Sequence, residues 1–71
     1  MTNTELFAKA VESKGLKMEF IAKQVGITSQ ALRNKVANRT EFKASELDAI
    51  KKVLGLNNKD FMTIFFSQSV E

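Results

Sequence analysis

Four polar residues in the middle of this 71-residue chain carry side chains suited to recognition chemistry. A helix that turns by about 100° per residue places them in order across one arc of about 140°: Ser29, Arg33, Gln30 and Asn34. Their hydroxyl, amide and guanidinium groups form hydrogen bonds, and the last two kinds pair with base edges, arginine with guanine and the amides with adenine. An ordinary exposed helix surface is the alternative interpretation.

The composition supports neither catalytic nor metal chemistry. The chain has no cysteine and no histidine, which excludes disulfides, thiolate zinc sites, a histidine base and a Ser-His-Asp triad. Glu46 and Asp48 are explained more simply as surface charge than as an acid–base pair. We therefore expect that the protein is not an enzyme and has no catalytic residue, metal, cofactor or small-molecule substrate.

The positive charge is concentrated in the middle of the chain. Residues 17–43 carry six basic and two acidic residues, a net charge of +4, whereas residues 1–16 sum to zero and residues 44–71 to −1. A polyanion is the natural partner of such a segment. Ordinary solvated surface remains an alternative when charge is considered alone.

Length and hydropathy predict a single domain over residues 1–71. A chain of this size has room for one core. Residues 1–5 are polar, and no apolar run approaches the ~20 residues of a membrane span or the shorter core of a signal peptide. We expect a cytoplasmic protein that is held together by packing and has no membrane partner.

Hydrophobic periodicity predicts an all-α fold of five short helices. The expected ranges are about 2–14, 18–25, 28–37, 44–54 and 59–66. Their predicted starts are Thr2 in the capping box Thr2-Asn3-Thr4-Glu5, Thr28, and Asn57 or Asn58. Their predicted ends are Gly15, Gly26, Asn38 and Gly55. After the third helix, Phe42 is expected to return to the core.

Gly26 separates the second and third helices by about three residues. So short a link forces the helices to cross steeply, and glycine supplies the positive φ that the turn requires. Ala22 permits a close approach, and Ile27 can fill the angle between the helices. This is the pattern of a helix-turn-helix over residues 18–37, whose second helix can enter a DNA major groove.

Residues 20–42 resemble the Cro/repressor-like (lambda repressor-like) helix-turn-helix family of small phage and bacterial regulators. The matching stretch is IAKQVGITSQAL, with Ala22, Gly26, Ile27 and Leu32 in the family's small, turn and packing positions. A basic loop and the pattern F..SE...I...LG, residues 42–55, follow, and the resemblance extends over residues 4–66. It implies a compact five-helix domain and a sequence-specific transcriptional regulator, of the phage Cro or repressor type, that occupies a double-stranded DNA operator. It also implies base-reading roles for Ser29, Gln30, Arg33 and Asn34.

Five further residues are assigned to the DNA backbone: Lys17, Thr28, Lys35, Arg39 and Lys43. Family members often cap the second and fourth helices with Thr or Ser, where this chain has Lys17 and Lys43, and the resemblance implies phosphate contacts there. Caps misplaced by one residue are the alternative. Lys35 falls on the inner side of its helix and is expected to snorkel outward past Leu32 to a phosphate. Arg39 follows in the loop that runs along the sugar-phosphate backbone in this family, and the resemblance implies a phosphate or minor-groove contact there. A free surface arginine is the alternative.

The last predicted helix carries more apolar surface than one core requires. Met62 and Phe66 widen its apolar arc to about 200°, against about 100° for an ordinary surface helix. Phe20, on the second helix, points away from the core face. We expect a homodimer through the last helix, because a symmetric pair reads two half-sites, or a different protein partner. Packing of these side chains within the domain is the alternative.

Two functions therefore remain open. The first is a DNA-binding regulator that acts through the third helix. The second is a protein-interaction module on the same fold, such as an antirepressor or antitoxin, that acts through the apolar C-terminal helix. Both functions can be present in one protein.

Overall fold

The computed structural model describes residues 1–67, and over these residues the secondary structure consists of five α-helices without a strand. The helices are α1 (Thr4–Lys14), α2 (Met18–Val25), α3 (Ser29–Val36), α4 (Ala44–Leu54) and α5 (Asn58–Phe65). The predicted all-α class and the number of helices are confirmed. None of the helices in the described part is long and apolar enough to cross a membrane.

Three of the helices end at the glycines that the sequence predicts, and α3 and α5 end one residue before their predicted last residues. Gly15, Gly26 and Gly55 have left-handed backbones, with φ of 67°, 90° and 63°, after α1, α2 and α4. Asn38 is also left-handed, with φ of 67°, and asparagine tolerates this region better than most residues do. These turns allow short helices to fold back on one another.

The predicted starts of α3 and α5 are confirmed, and the start of α1 is corrected. The side-chain oxygens of Thr28 and Asn57 each accept a hydrogen bond from the backbone N–H three residues later, at 3.0 Å and 2.7 Å. In α1 the cap is Asn3 rather than Thr2. Its Oδ1 accepts a hydrogen bond from the backbone N–H of Leu6 at 3.0 Å. Thr2 instead binds the side chain of Asn38 through its backbone.

Thr2 is buried and joins the start of the chain to the end of α3. Its N–H donates to Oδ1 of Asn38, and its carbonyl accepts from Nδ2 of the same residue, both at 2.9 Å. The hydroxyl of Thr4 donates to the carbonyl of Val36 at 2.8 Å, and the N–H of Asn3 donates to the carbonyl of Ile64 at 2.6 Å. The first residues therefore connect α3 with α5.

The core is formed by side chains from all five helices. The largest fully buried ones in the described part are Phe7, Ile21, Leu32, Ile50 and Leu54. Helix α2 packs against both α3 and α4, and its Ala22 is only 2% exposed. Phe42 packs edge-on against Phe65 of α5, with ring centroids 5.6 Å apart, which confirms its predicted return to the core.

Lys35 is held on the inner side of α3 by an ion pair, which corrects its predicted outward course to a phosphate. Its Nζ lies 3.1 Å from Oε1 of Glu46 on α4 and donates to the carbonyl of Glu41 at 3.0 Å. The two charged side chains are only 12% and 9% exposed. A lone lysine would be costly there, but the carboxylate compensates its charge. The pair links α3 to α4.

The environment of Glu46 stabilises its charged form. Burial by itself raises the pKa of Glu46. Hydrogen bonds from the backbone N–H of Lys43, at 2.8 Å, and from the side chain of Lys35 lower the pKa by more than burial raises it. The pKa therefore lies below the ordinary 4.5. Because the pKa of Glu46 is lower in the folded than in the unfolded state, its ionisation stabilises the fold, and this contribution is fully present above the pKa of the unfolded chain. It is lost as the pH falls through the pKa of the folded state.

We expect Glu46→Gln to lower the free energy of unfolding by about 2 kcal/mol near neutral pH, because the ammonium of Lys35 loses its counter-charge. Urea unfolding across a pH series measures the effect. Its difference from the wild type should shrink as the pH falls, since the wild type then loses the same charge. Asp48→Asn, which neutralises an exposed carboxylate of α4, is the control. A difference that does not depend on pH would contradict this assignment.

We also expect Gly26→Ala to lower the free energy of unfolding by about 1 to 2 kcal/mol, as measured in urea. An added Cβ at Gly26 would meet no heavy atom within 4 Å, so that the cost comes from the left-handed backbone. Gly26→Asn should cost less because asparagine tolerates that conformation. Equal losses in the two variants would mean that backbone strain is not the cause.

Candidate nucleic-acid interface

The link between α2 and α3 completes a change of chain direction within three residues. The N–H groups of Gly26 and Ile27 both donate to the carbonyl of Ala22, at 2.8 Å and 3.0 Å. The side chain of Ile27 packs against the core, and Thr28 caps α3 directly afterwards. Packing on one side of the turn and capping on the other therefore determine where α3 begins.

The two sides of α3 differ as its helical period predicts. Leu32 is fully buried. Gln30 and Arg33 are exposed, and Ser29 and Asn34 are half-buried on the same polar side. The predicted division of this helix into an apolar and a polar side is confirmed. The base-reading role of the four polar residues stays a prediction.

Three residues form a hydrogen-bonded group that we call the amide cluster: Gln30, Asn34 and Arg39. Oδ1 of Asn34 accepts from Nε2 of Gln30 at 3.1 Å and from Nη1 of Arg39 at 3.2 Å. The backbone of Arg39 is also attached to α3, because its N–H donates to the carbonyl of Asn34 at 2.9 Å. The left-handed turn at Asn38 brings Arg39 back to that position.

The sequence does not predict the amide cluster. It assigns Gln30 and Asn34 to bases and Arg39 to the DNA backbone, each independently of the others. The available signal was the spacing of two amides by four residues, because such side chains are neighbours on a helix surface. Arg39 gave no such signal, since its approach depends on the turn that follows α3.

Lys17 and Lys43 occupy the N-cap positions of α2 and α4, as the sequence predicted, and neither side chain forms a capping hydrogen bond there. Both residues are exposed. At Lys43 the carboxylate of Glu46 accepts from the backbone N–H at 2.8 Å, which partly replaces the missing cap. Both helix starts thus combine a lysine with the positive end of a helix dipole, a combination that favours anions.

Arg33 borders an apolar groove of about 560 Å³ between α1 and α3. The groove is lined mainly by Phe7, Val11, Leu16, Met18 and Val36. Within residues 1–67, Arg33 takes part in no ion pair.

The apolar side chains that the sequence identified as surplus are exposed: Phe20 is 46%, Met62 53% and Phe66 49% exposed. Met1, which sequence reasoning missed, is 67% exposed and lines a groove of about 360 Å³ together with Phe66. We call Met1, Met62 and Phe66 the C-terminal apolar patch. Packing among residues 1–67 does not cover it, and Phe20 lies apart from it on α2.

A scan of protein-family models and comparisons with curated proteins and solved structures found no match to this chain. The resemblance to the Cro/repressor-like family therefore stays a prediction that rests on the residues themselves.

Proposed function

We propose that this protein is a sequence-specific, double-stranded DNA-binding transcriptional regulator that inserts α3 into the major groove of an operator. The observation that carries the proposal is the polar side of α3, which combines exposed Gln30 and Arg33 with Asn34, the hydrogen-bond partner of Gln30. The major groove admits an α-helix and presents a distinct donor and acceptor pattern for each base pair. The hydroxyl, amide and guanidinium groups on this helix are of the kinds that pair with such donors and acceptors.

The roles of the four polar residues follow from their chemistry. Arg33 has five N–H donors and pairs with O6 and N7 of guanine. Gln30 and Asn34 carry amides that pair with adenine or donate to other base acceptors. Ser29, at the start of α3, is short and hydrogen-bonds a base only at close approach.

Two exposed lysines contribute affinity rather than sequence preference. Lys17 and Lys43 are exposed and suited to phosphate contacts, and Thr28 lies at the start of α3. Contacts to phosphates fix the register of the protein on the duplex. Lys35 is left out of this set because its ammonium is bound to Glu46.

The proposal predicts different losses for two kinds of substitution. Arg33→Ala should weaken binding to the cognate duplex by about 1 to 3 kcal/mol and leave binding to a random duplex nearly unchanged. Lys17→Ala or Lys43→Ala should weaken binding to both duplexes and reduce the salt slope by about one unit each, because one phosphate contact is lost. Fluorescence titration of labelled duplexes at several salt concentrations measures both effects.

Lys52→Ala is the matched control, because Lys52 lies in the last turn of α4, at the other end of the helix that Lys43 begins, and pairs with Asp48. It should change neither the affinity nor the salt slope. Equal losses on both duplexes for Arg33→Ala would make Arg33 a phosphate contact. No detectable binding of the wild type to either duplex would refute the proposed function.

A second candidate function is association with protein, favoured by the exposed C-terminal apolar patch. Large apolar side chains that are half exposed on a small domain are typical of interaction surfaces. A homodimer through Met62 and Phe66 would pair two copies of α3 for two half-sites. An antirepressor or antitoxin would use the same patch for a different protein, and Phe20 offers a second apolar contact.

We expect the wild-type protein to self-associate and Phe66→Glu to weaken that association, because the substitution introduces a charge into the C-terminal apolar patch. A concentration series by analytical ultracentrifugation measures the effect. Thr63→Glu adds the same charge at an exposed position of α5 outside the patch and should leave association intact. A wild-type protein that stays monomeric at high micromolar concentration would rule out the homodimer and favour a different protein partner.

A further inference from the structure

The amide cluster contains an internal constraint that determines which way its side-chain amides face. An amide group has an oxygen that accepts and a nitrogen that donates, and the two ends can exchange by rotation. The guanidinium of Arg39 can only donate hydrogen bonds. The atom of Asn34 that lies 3.2 Å from Nη1 of Arg39 must therefore be the oxygen Oδ1.

The orientation of Gln30 follows from that of Asn34. Because Oδ1 of Asn34 is the shared acceptor, Gln30 must direct its nitrogen Nε2 toward it, and the distance is 3.1 Å. The two donors use both lone pairs of Oδ1. Gln30 then keeps its carbonyl oxygen and one N–H for an external partner, whereas Asn34 keeps only the two N–H groups of Nδ2.

We infer that Arg39 is a positioning residue that sets the base preference of α3, an inference that rests on the proposed DNA-binding function. Adenine presents N6–H as a donor and N7 as an acceptor in the major groove, which matches the remaining acceptor and donor of Gln30. Guanine presents O6 and N7, and thymine presents O4, all acceptors that match the donors of Asn34. The operator half-site therefore contains an adenine read by Gln30 and a nearby guanine or thymine read by Asn34.

Without Arg39 the orientation of the two amides is no longer determined. The two amides can then rotate together, so that Asn34 directs its nitrogen toward Gln30 and presents its oxygen outward. Asn34 would then also accept from the amino groups of adenine and cytosine, and its selectivity would fall. Arg39→Met removes the donors and retains a long side chain, whereas Arg39→Lys retains a donor-only group at nearly the same length.

The experiment selects bound sites from a random pool of DNA duplexes with the full chain and its Arg39→Met, Arg39→Lys and Asn34→Asp variants. Gln30→Ala and Asn34→Ala first identify the base pair that each amide reads. At those two base pairs, we expect the wild type to prefer its base over the others by about tenfold. Arg39→Met should abolish nearly all of this preference, and Arg39→Lys should retain most of it. Asn34→Asp retains the accepting oxygen but replaces the outward donors by an acceptor, so its base preference should change to cytosine.

Three outcomes decide between the two proposals. Loss of the base preference at both base pairs in Arg39→Met, while Arg39→Lys retains that preference, supports the inference. A uniform loss of affinity in Arg39→Met that leaves every base preference unchanged would make Arg39 a phosphate contact and overturn the inference, while the DNA-binding function would stand. A wild-type protein that enriches no sequence would overturn the proposed function and the inference with it.

Discussion

The direction of α3 depends on the left-handed backbone at Gly26, and the placement of the polar side chains depends on the direction of α3. Gly26 ends α2 with two hydrogen bonds to α2 carbonyls, and Thr28 caps α3 two residues later. A residue with a Cβ would resist this conformation by about 1 to 2 kcal/mol. Since Leu32 is buried in the core, the apolar side of α3 is packed against the domain and the polar side faces outward.

The end of α3 is held by polar contacts rather than by apolar packing alone. Asn38 binds both backbone groups of Thr2, and its left-handed turn brings Arg39 back to Asn34. The ion pair between Lys35 and Glu46 connects the same region to α4. A buried charge pair is weak evidence for net stability, but loss of one member is costly. These contacts attach the end of α3, a helix of only eight residues, to α1, α4 and the start of the chain.

Much of the fold was predictable because the signals that define helices are local. Caps such as Thr28 and Asn57 satisfy N–H groups within the next three residues, and glycines end helices through their own φ. The surplus of apolar surface on α5 was also predictable, because it follows from helical periodicity. The start of α1 was predicted incorrectly, since Thr2 and Asn3 are both good caps and their residue types do not distinguish them. In the structure Asn3 caps the helix, and Thr2 binds Asn38.

The sequence by itself determined which residues form helices, where most helices begin and end, and which side of α3 is polar. The tertiary structure decided the partners: Glu46 for Lys35, Thr2 for Asn38, and Asn34 for Arg39. Periodicity correctly placed Lys35 on the inner side of α3, but the cost of burying its charge wrongly suggested an outward course, because Glu46 supplies the counter-charge. Helix propensity and capping act within a few residues, whereas a charge or an amide pairs with whatever group the folded core brings within ~3 Å.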